Sequence, residues 1–182
     1  IACNTATSAA AAALRGKLSI PVIGMEPALK PASLFRKDGM IAVLATSATL
    51  RQEKFRHLME RYGEYAVPVP CPGLMDYVEH GVTEGAELDA FLQKVLATFR
   101  DYRFDAAVLG CTHDVFLKDA IQKAMPGVRL FDGNEGTSHQ LRRVLSERGW
   151  LKEEGEGGVQ LFSSAENPAV IRLMERLLAT KP

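Results

Sequence analysis

Residues 106–113 are AAVLGCTH, an apolar run of four residues followed by a glycine, a cysteine, a threonine and a histidine. Apolar runs without alternation are typical of strands in a parallel sheet that helices cover on both faces. Similar runs recur along the chain and are separated by longer stretches of helical periodicity. This alternation predicts an α/β protein built from βα units.

The pattern predicts six strands and six helices. The strands are expected at residues 21–23, 40–44, 66–69, 106–109, 128–131 and 159–162, and the helices at about 6–18, 49–63, 84–100, 114–125, 136–148 and 167–180. Turn-forming segments at 24–27 and 131–134 interrupt the alternation. They predict a discontinuous, incomplete first lobe made of residues 1–25 and 132–182, and a second lobe made of residues 26–131.

Composition narrows the class of function. The chain has 182 residues with 22 Lys and Arg against 22 Asp and Glu, so it has no excess positive charge for a nucleic-acid backbone or an anionic membrane. No apolar stretch approaches the roughly twenty residues of a membrane span. These features favour small-molecule chemistry and a cytoplasmic location.

Three cysteines, an odd number, in a chain without an export signal favour reduced thiols over a disulfide framework. The chain begins Ile1-Ala2-Cys3, which has the character of the end of a buried strand. We therefore expect further residues upstream of this sequence.

Cys3 and Cys111 occupy similar positions, because each follows an apolar run and precedes a predicted helix. Both should lie at the carboxyl end of a strand, where open α/β sheets build their sites. The N–H groups at the start of the next helix favour a thiolate, so the pKa of each thiol is expected to fall from about 8.5 toward neutrality. The nearby polar side chains could hold a substrate carboxylate together with these N–H groups. They are Asn4, Thr5, Thr7 and Thr112.

Two such thiols suit the inversion of a stereocentre. This reaction needs a base on one face of a carbon and an acid on the other, and a thiolate and a thiol can exchange these roles. His113 lies two residues beyond Cys111, where it could orient that sulfur or carry its proton. Either cysteine alone would more often be an inert buried residue, so the interpretation depends on the pair. A zinc site is a weaker alternative because no CxxC pair is present.

Three further residues could be structural or functional. Cys71, before Pro72, is interpreted as a packed core thiol. Glu79 is either a solvated carboxylate or a partner for a histidine. Thr49 either caps a helix or faces a substrate.

The motifs occur in the order seen in glutamate racemases, and the chain is therefore similar to that family over nearly its whole length. The motifs are Ala2-Cys3-Asn4-Thr5-Ala6-Thr7, Pro21-Val22-Ile23-Gly24 with Glu26-Pro27, Leu44-Ala45-Thr46-Ser47-Ala48-Thr49, Cys71-Pro72 with Val78-Glu79 and Gly81, and Leu109-Gly110-Cys111-Thr112-His113. In the wider aspartate/glutamate racemase superfamily, aspartate-acting members usually carry Glu where His113 stands. The histidine therefore favours glutamate.

The resemblance implies two similar lobes with mainly parallel sheets and an active site in the cleft between them. It implies interconversion of L- and D-glutamate for peptidoglycan, with no pyridoxal phosphate or other cofactor and no metal, and it leaves a homodimer as an open alternative. Cys3 and Cys111 would be the acid/base thiols, assisted at Cys111 by His113 and Glu79. Asn4, Thr5, Thr49 and Thr112 would bind the substrate.

Two departures from the family pattern bear on this interpretation. The Asp-Ser-Gly and Pro-Tyr-Gly segments that family members carry before the position of Cys3 are not in this sequence, so the chain by itself is expected to lack activity. Asp114-Val115 stands where the family usually has Tyr-Pro. Two alternatives follow: a racemase of the same superfamily with another acidic substrate, or a catalytically inactive amino-acid-binding relative.

Overall fold

A four-stranded parallel sheet forms the centre of the computed structural model, which describes residues 1–152 and 154–180. Its strands are β1 (Met40–Ala45), β2 (Ala66–Pro70), β3 (Phe104–Leu109) and β4 (Arg129–Phe131), in the order β2-β1-β3-β4. These are the four middle strands predicted from the sequence. In register, Leu44 of β1 lies beside both Val69 and Leu109, so the three strands end at one edge.

Helices connect the strands and flank the sheet. They are α1 (Asn4–Lys17), α2 (Leu29–Phe35), α3 (Ser47–Leu50), α4 (Glu53–Tyr62), α5 (Leu74–Glu79), α6 (Ala86–Ala97), α7 (Lys118–Ala124), α8 (Asn134–Glu147) and α9 (Pro168–Ala179). A short 3₁₀ helix, Asp114–Leu117, precedes α7. The predicted helix 49–63 is two helices, and α2 was not predicted because it is short and contains Pro31.

Both faces of the sheet are buried, as the non-alternating strand sequences predicted. Ile41 and Val43 of β1 pack with Leu29 of α2 and Phe55 of α4. The intervening Ala42 and Leu44 pack on the opposite face, against a larger cluster that includes α5, α6 and α7. Successive side chains of a strand point to opposite faces, so a strand covered on both sides needs apolar residues at every position.

The predicted strands at 21–23 and 159–162 are wrong, because neither segment is a strand in the structure. A strand needs a neighbouring backbone with which to form a ladder. Among the described residues, only the four strands of the sheet pair in this way. Near residues 21–23, the Ile1 amino group donates a single hydrogen bond to the Ile23 carbonyl oxygen, at 2.6 Å.

All four strands fall within residues 26–131, the predicted second lobe. Helices α1, α8 and α9 belong to residues 1–25 and 132–180, and α8 and α9 contain no buried residue. The division into two lobes stays a prediction.

Candidate active site

Cys3 directly precedes α1 and is its N-cap residue. Its backbone is extended, with φ −159° and ψ 125°, and its Sγ accepts a hydrogen bond from the Ala6 N–H at 3.4 Å. The first turn of α1 contains no acidic residue. The thiol therefore lies at the start of a helix and accepts from its N–H groups, as the sequence predicted. The predicted position of Cys3 at the end of a strand is wrong, because Ile1 and Ala2 do not form a strand in the structure.

Cys111 lies two residues beyond β3, and Gly110 makes its position possible. The Gly110 N–H donates to the Leu44 carbonyl oxygen of β1 at 2.6 Å. A Cβ at residue 110 would lie only 2.7 Å from that oxygen and 2.8 Å from the Ala45 Cβ. Glycine thus lets this loop approach β1 closely, and this close approach determines the position of Cys111 relative to the sheet.

A hydrogen bond connects the loops of the two cysteines. The Asn4 side chain, which is buried, donates from Nδ2 to the Gly110 carbonyl oxygen at 2.7 Å. Residues 4 and 110 each neighbour a cysteine, so this bond holds the two thiols in one region. The buried Asn4 Oδ1 has no partner among the described residues.

Hydroxyl groups line the same region. Thr5 Oγ1 lies 2.9 Å from Thr49 Oγ1, and Thr46 Oγ1 donates to Thr49 Oγ1 at 3.1 Å. Thr46 also accepts from the Thr49 N–H and so caps α3. The buried Thr49, the predicted substrate contact, therefore lies beside Thr5, and Thr46 is the capping residue.

Gln52 was missed by the sequence analysis. Its Nε2 donates to the Thr5 carbonyl oxygen at 3.3 Å, and its buried Oε1 has no partner among the described residues. An isolated glutamine before a helix carries no signal in the sequence, so only the folded chain reveals this contact.

His113 lies between Cys111 and Glu79. Its Nδ1 is 3.5 Å from Cys111 Sγ, and its Nε2 is 3.4 Å from Glu79 Oε1 at the end of α5. Of the two readings left open for Glu79, the structure therefore supports a partner of a histidine. A proton on Nε2 would face the carboxylate and leave Nδ1 free to accept the thiol proton.

The predicted fall in thiol pKa is wrong for Cys111. Burial raises the pKa of Cys111 to about 11, and the negative charge of Asp114 adds to the rise. The backbone N–H groups of His113 and Asp114 lower this pKa by a smaller amount. Burial disfavours the charged form of a thiol, and a nearby negative charge does the same. At Cys111, burial and the charge of Asp114 raise the pKa by more than the N–H groups at the start of the helix lower it.

Asp114, noted in the sequence only as a departure from the family pattern, is a second buried acid at the site. It is 1% exposed, and its Oδ2 has no partner among the described residues. Burial raises the pKa of Asp114 to about 7, an effect that a hydrogen bond from the Cys111 backbone N–H partly offsets. The sequence did not indicate that Asp114 is buried, because most aspartates in proteins are exposed to solvent.

Thr7 and Cys71 have structural positions. Thr7, proposed as a carboxylate contact, is 1% exposed and its hydroxyl donates to the Ile1 carbonyl oxygen and accepts from the Met25 N–H. That proposal is wrong because both hydrogen bonds join α1 to neighbouring chain segments. Cys71 is buried in the core and its Sγ lies 3.3 Å from the Val69 carbonyl oxygen. Its position in the core confirms Cys71 as a packed core thiol, and burial raises the pKa of this thiol to about 12.

Thr112 is half-buried between Cys111 and His113. Within residues 1–152 and 154–180, no three His, Cys, Asp or Glu side chains are grouped so that they could hold a metal ion. In the same ranges, no helix combines the length and apolar character needed to cross a membrane.

Comparison with known proteins places the chain among racemases. The sequence profile of the Asp/Glu/hydantoin racemase family matches residues 1–140. A glutamate racemase of Clostridium perfringens (strain SM101 / Type A) is 45% identical over 186 residues, an alignment that covers 100% of this chain and 72% of that protein.

Solved structures show the same similarity. The glutamate racemase isoform RacE1 of Bacillus anthracis matches with a TM-score of 0.84 and 29% identity, over 100% of this chain and 70% of that one. The glutamate racemase of Thermus thermophilus, solved in complex with β-chloro-D-alanine, matches with a TM-score of 0.74 and 34% identity, over 96% and 66% of the two chains.

Proposed function

The chain belongs to the Asp/Glu/hydantoin racemase family, and from this premise we propose that it interconverts L- and D-glutamate by acid/base chemistry at Cys3 and Cys111. The hydrogen bond from Asn4 to Gly110 carries the mechanistic part of the proposal, because it joins the loops of two thiols that are 108 positions apart in sequence. The 45% identity to a glutamate racemase supports the substrate.

In the proposed reaction, a thiolate on one side removes the α-proton and a thiol on the other side delivers a proton to the opposite face. The carbon is inverted, and the two sulfurs have exchanged protonation states. The reverse direction uses the same groups with their roles exchanged, as microscopic reversibility requires. No redox change and no cofactor enters this balance.

His113 assists Cys111 in this scheme. When Cys111 must act as the base, its raised pKa makes ionisation unfavourable at neutral pH. A neutral imidazole at 3.5 Å can take the thiol proton, and Glu79 stabilises the imidazolium that forms. This role is specific to Cys111, because His113 lies two residues beyond it.

The proposed binding residues are Asn4, Thr5, Thr49 and Thr112. Asn4 Nδ2 is already bonded to Gly110, so its free Oδ1 would accept a hydrogen bond from the substrate ammonium group. The hydroxyls of Thr5 and Thr49 lie together and would donate to a substrate carboxylate. Buried polar atoms without a partner fit a site that a ligand completes.

The proposal also includes the setting of the enzyme. Residues 1–25 and 132–182 would form one lobe and residues 26–131 the other, with the substrate between them. The product D-glutamate would supply peptidoglycan synthesis in the cytoplasm, where thiols stay reduced. Whether the protein is a homodimer is decided by light scattering on the purified protein.

The test follows inversion and proton exchange together. The complete protein, including the residues expected before Ile1, is purified and incubated in D₂O with L-glutamate, D-glutamate or L-aspartate, and optical rotation and α-proton NMR are recorded. We expect inversion of both glutamate enantiomers with α-deuteration of the product, and a much slower reaction of aspartate. Cys71→Ala is the matched cysteine control and should stay active. Faster inversion of aspartate, or inversion without deuteration, would contradict the proposal.

A further inference from the structure

We propose that Asp114 is a positioning residue that holds Cys111 in its protonated form, so that Cys111 rests as the proton donor of the thiol pair. The effect on the thiol stands on the structure of this loop. Its role in catalysis rests on the proposed racemase function.

The Asp114 carboxyl group turns back toward Cys111, whose backbone N–H donates to it. The Asp114 N–H donates to the Cys111 carbonyl oxygen at 3.1 Å, which closes a tight turn over residues 111–114. The side chain that begins the 3₁₀ helix is 1% exposed and its Oδ2 accepts no hydrogen bond from any described residue. The turn needs only the backbone of residue 114, so the fold alone does not explain a carboxyl group here.

No charged side chain among the described residues compensates a negative charge on Asp114. Within the described residues, Asp114 takes part in no salt bridge, although Lys118 in the next turn pairs with Asp132 at 2.9 Å. His113 directs its Nε2 to Glu79 on α5. The negative charge of Asp114 raises the pKa of two thiols, after the larger effect of their burial. They are Cys111 in the same loop and Cys71 beyond the end of β2.

A negative charge on Asp114 opposes a negative charge on Cys111, and screening by solvent is reduced because Asp114 is buried and Cys111 is half-buried. Burial of Cys111 acts in the same direction, because it disfavours the thiolate. Burial of Asp114 raises the pKa of its carboxyl group to about 7, so its charge is fully present only above neutral pH, where the Cys111 thiol ionises. Cys71 adds no competing charge at neutral pH, since its pKa is raised to about 12. Cys111 is therefore a thiol unless His113 removes its proton.

This asymmetry serves a reaction that needs one acid and one base at the same moment. Two identical thiols would carry the correct combination of charges only part of the time, because nothing would decide which one is ionised. The first turn after Cys3 has no acidic residue, whereas the turn after Cys111 begins with one. Asp114 thereby favours Cys111 as the protonated thiol of the pair before the substrate reacts.

The experiment measures ionisation of Cys111 directly. The rate of iodoacetamide labelling depends on the thiolate, so it is followed against pH and resolved at the Cys111 peptide by mass spectrometry. Asp114→Asn keeps the size of the side chain and removes its charge. We expect the midpoint of the Cys111 profile to fall by about one unit or more, which corresponds to roughly a tenfold faster reaction at a fixed pH below the midpoint.

Two variants keep the labelling test decisive. Asp119→Asn removes an exposed carboxylate five positions away and should leave the midpoint unchanged. If circular dichroism shows that Asp114→Asn does not fold, Asp114→Ser gives a smaller neutral side chain at the same position. An unchanged Cys111 midpoint in a folded neutral variant overturns the proposal.

Kinetics test the catalytic part. The direction in which Cys111 is the base is identified by the single enantiomer whose α-proton still exchanges in Cys3→Ser. In Asp114→Asn, the pH profile of kcat in this direction should move to lower pH with the labelling midpoint. A shifted labelling midpoint with unchanged kcat profiles in both directions overturns the catalytic role. If the complete wild-type protein, including the residues expected before Ile1, inverts no glutamate, the proposed function fails while labelling still decides whether Asp114 acts on Cys111.

Discussion

The loops of Cys3 and Cys111 have the same local order of apolar run, cysteine, threonine-containing segment and helix, yet they give the two thiols different surroundings. Cys3 caps the 14-residue helix α1, and its sulfur accepts a hydrogen bond from the Ala6 N–H. Cys111 precedes a four-residue 3₁₀ helix whose first side chain is a buried carboxyl, and it faces a histidine. A helix start favours a thiolate only where burial and nearby charge do not oppose it.

The difference also separates the supporting groups. Around Cys3 they are neutral: Asn4, the Thr5 and Thr49 hydroxyls, and Gln52. Around Cys111 they are titratable: His113, Glu79 and Asp114. The Cys3 side is thus equipped to bind and orient, whereas the Cys111 side is equipped to control a proton.

The largest effect is expected from removing either thiol. Cys3→Ser and Cys111→Ser should each reduce inversion by about 10⁴-fold, since a hydroxyl is a far weaker acid/base group than a thiol near neutral pH. Each variant should still exchange the α-proton of one enantiomer, and the two variants should exchange opposite enantiomers. Polarimetry and NMR in D₂O measure both properties. Exchange of the same enantiomer by both variants would remove the assignment of one thiol to each face.

His113→Asn should affect the two directions unequally. Loss of a general base typically costs about 10²–10⁴-fold, and here the loss should fall mainly on kcat in the direction that uses Cys111 as the base. The equilibrium between enantiomers is fixed, so compensating KM values must accompany the asymmetry. Glu79→Gln should give a weaker version of the same pattern. Equal kcat losses in both directions would mean that His113 binds or packs and does not move the Cys111 proton.

Asp114→Asn should change the pH dependence of stability. The pKa of Asp114 is raised to about 7 in the folded protein, above its ordinary value, so the folded state retains the proton more strongly than the unfolded state. This contribution is fully present below about pH 4 and is lost as the pH rises through about 7. Relative to wild type, the variant should gain a few kcal/mol of unfolding free energy across this range, because one pKa unit corresponds to about 1.4 kcal/mol. Urea unfolding at a series of pH values measures this, and a constant difference would contradict the buried acid.

The smallest effect is expected at the bond that joins the loops. Asn4→Ala leaves the Gly110 carbonyl oxygen without its partner and should lower the free energy of unfolding by about 1–3 kcal/mol. Because this change loosens both loops, kcat should fall similarly in the two directions, in contrast to His113→Asn. Chemical denaturation and kinetics with each enantiomer give the two quantities. Unequal losses would place Asn4 with the groups that act on one thiol.

Much of the fold was accessible from the sequence because it depends on local patterns. The four strands of the sheet are runs of apolar residues that only a doubly covered strand needs, and all four were predicted. The strands predicted at 21–23 and 159–162 had the same local character but no neighbouring backbone with which to pair. A pattern identifies a segment that can be a strand, while pairing depends on residues far along the chain.

For the site, the sequence by itself determined the identity of the chemical groups: two cysteines after apolar runs, a histidine two residues beyond the second, and nearby threonines and an asparagine. Only the tertiary structure decided how these groups act. It engaged the Thr7 hydroxyl in structural bonds, brought Glu79 to His113, and buried Asp114 beside Cys111. The physical reason is that the protonation state of a group depends on desolvation and on charges brought near it by folding, and neither is contained in the residues that flank it.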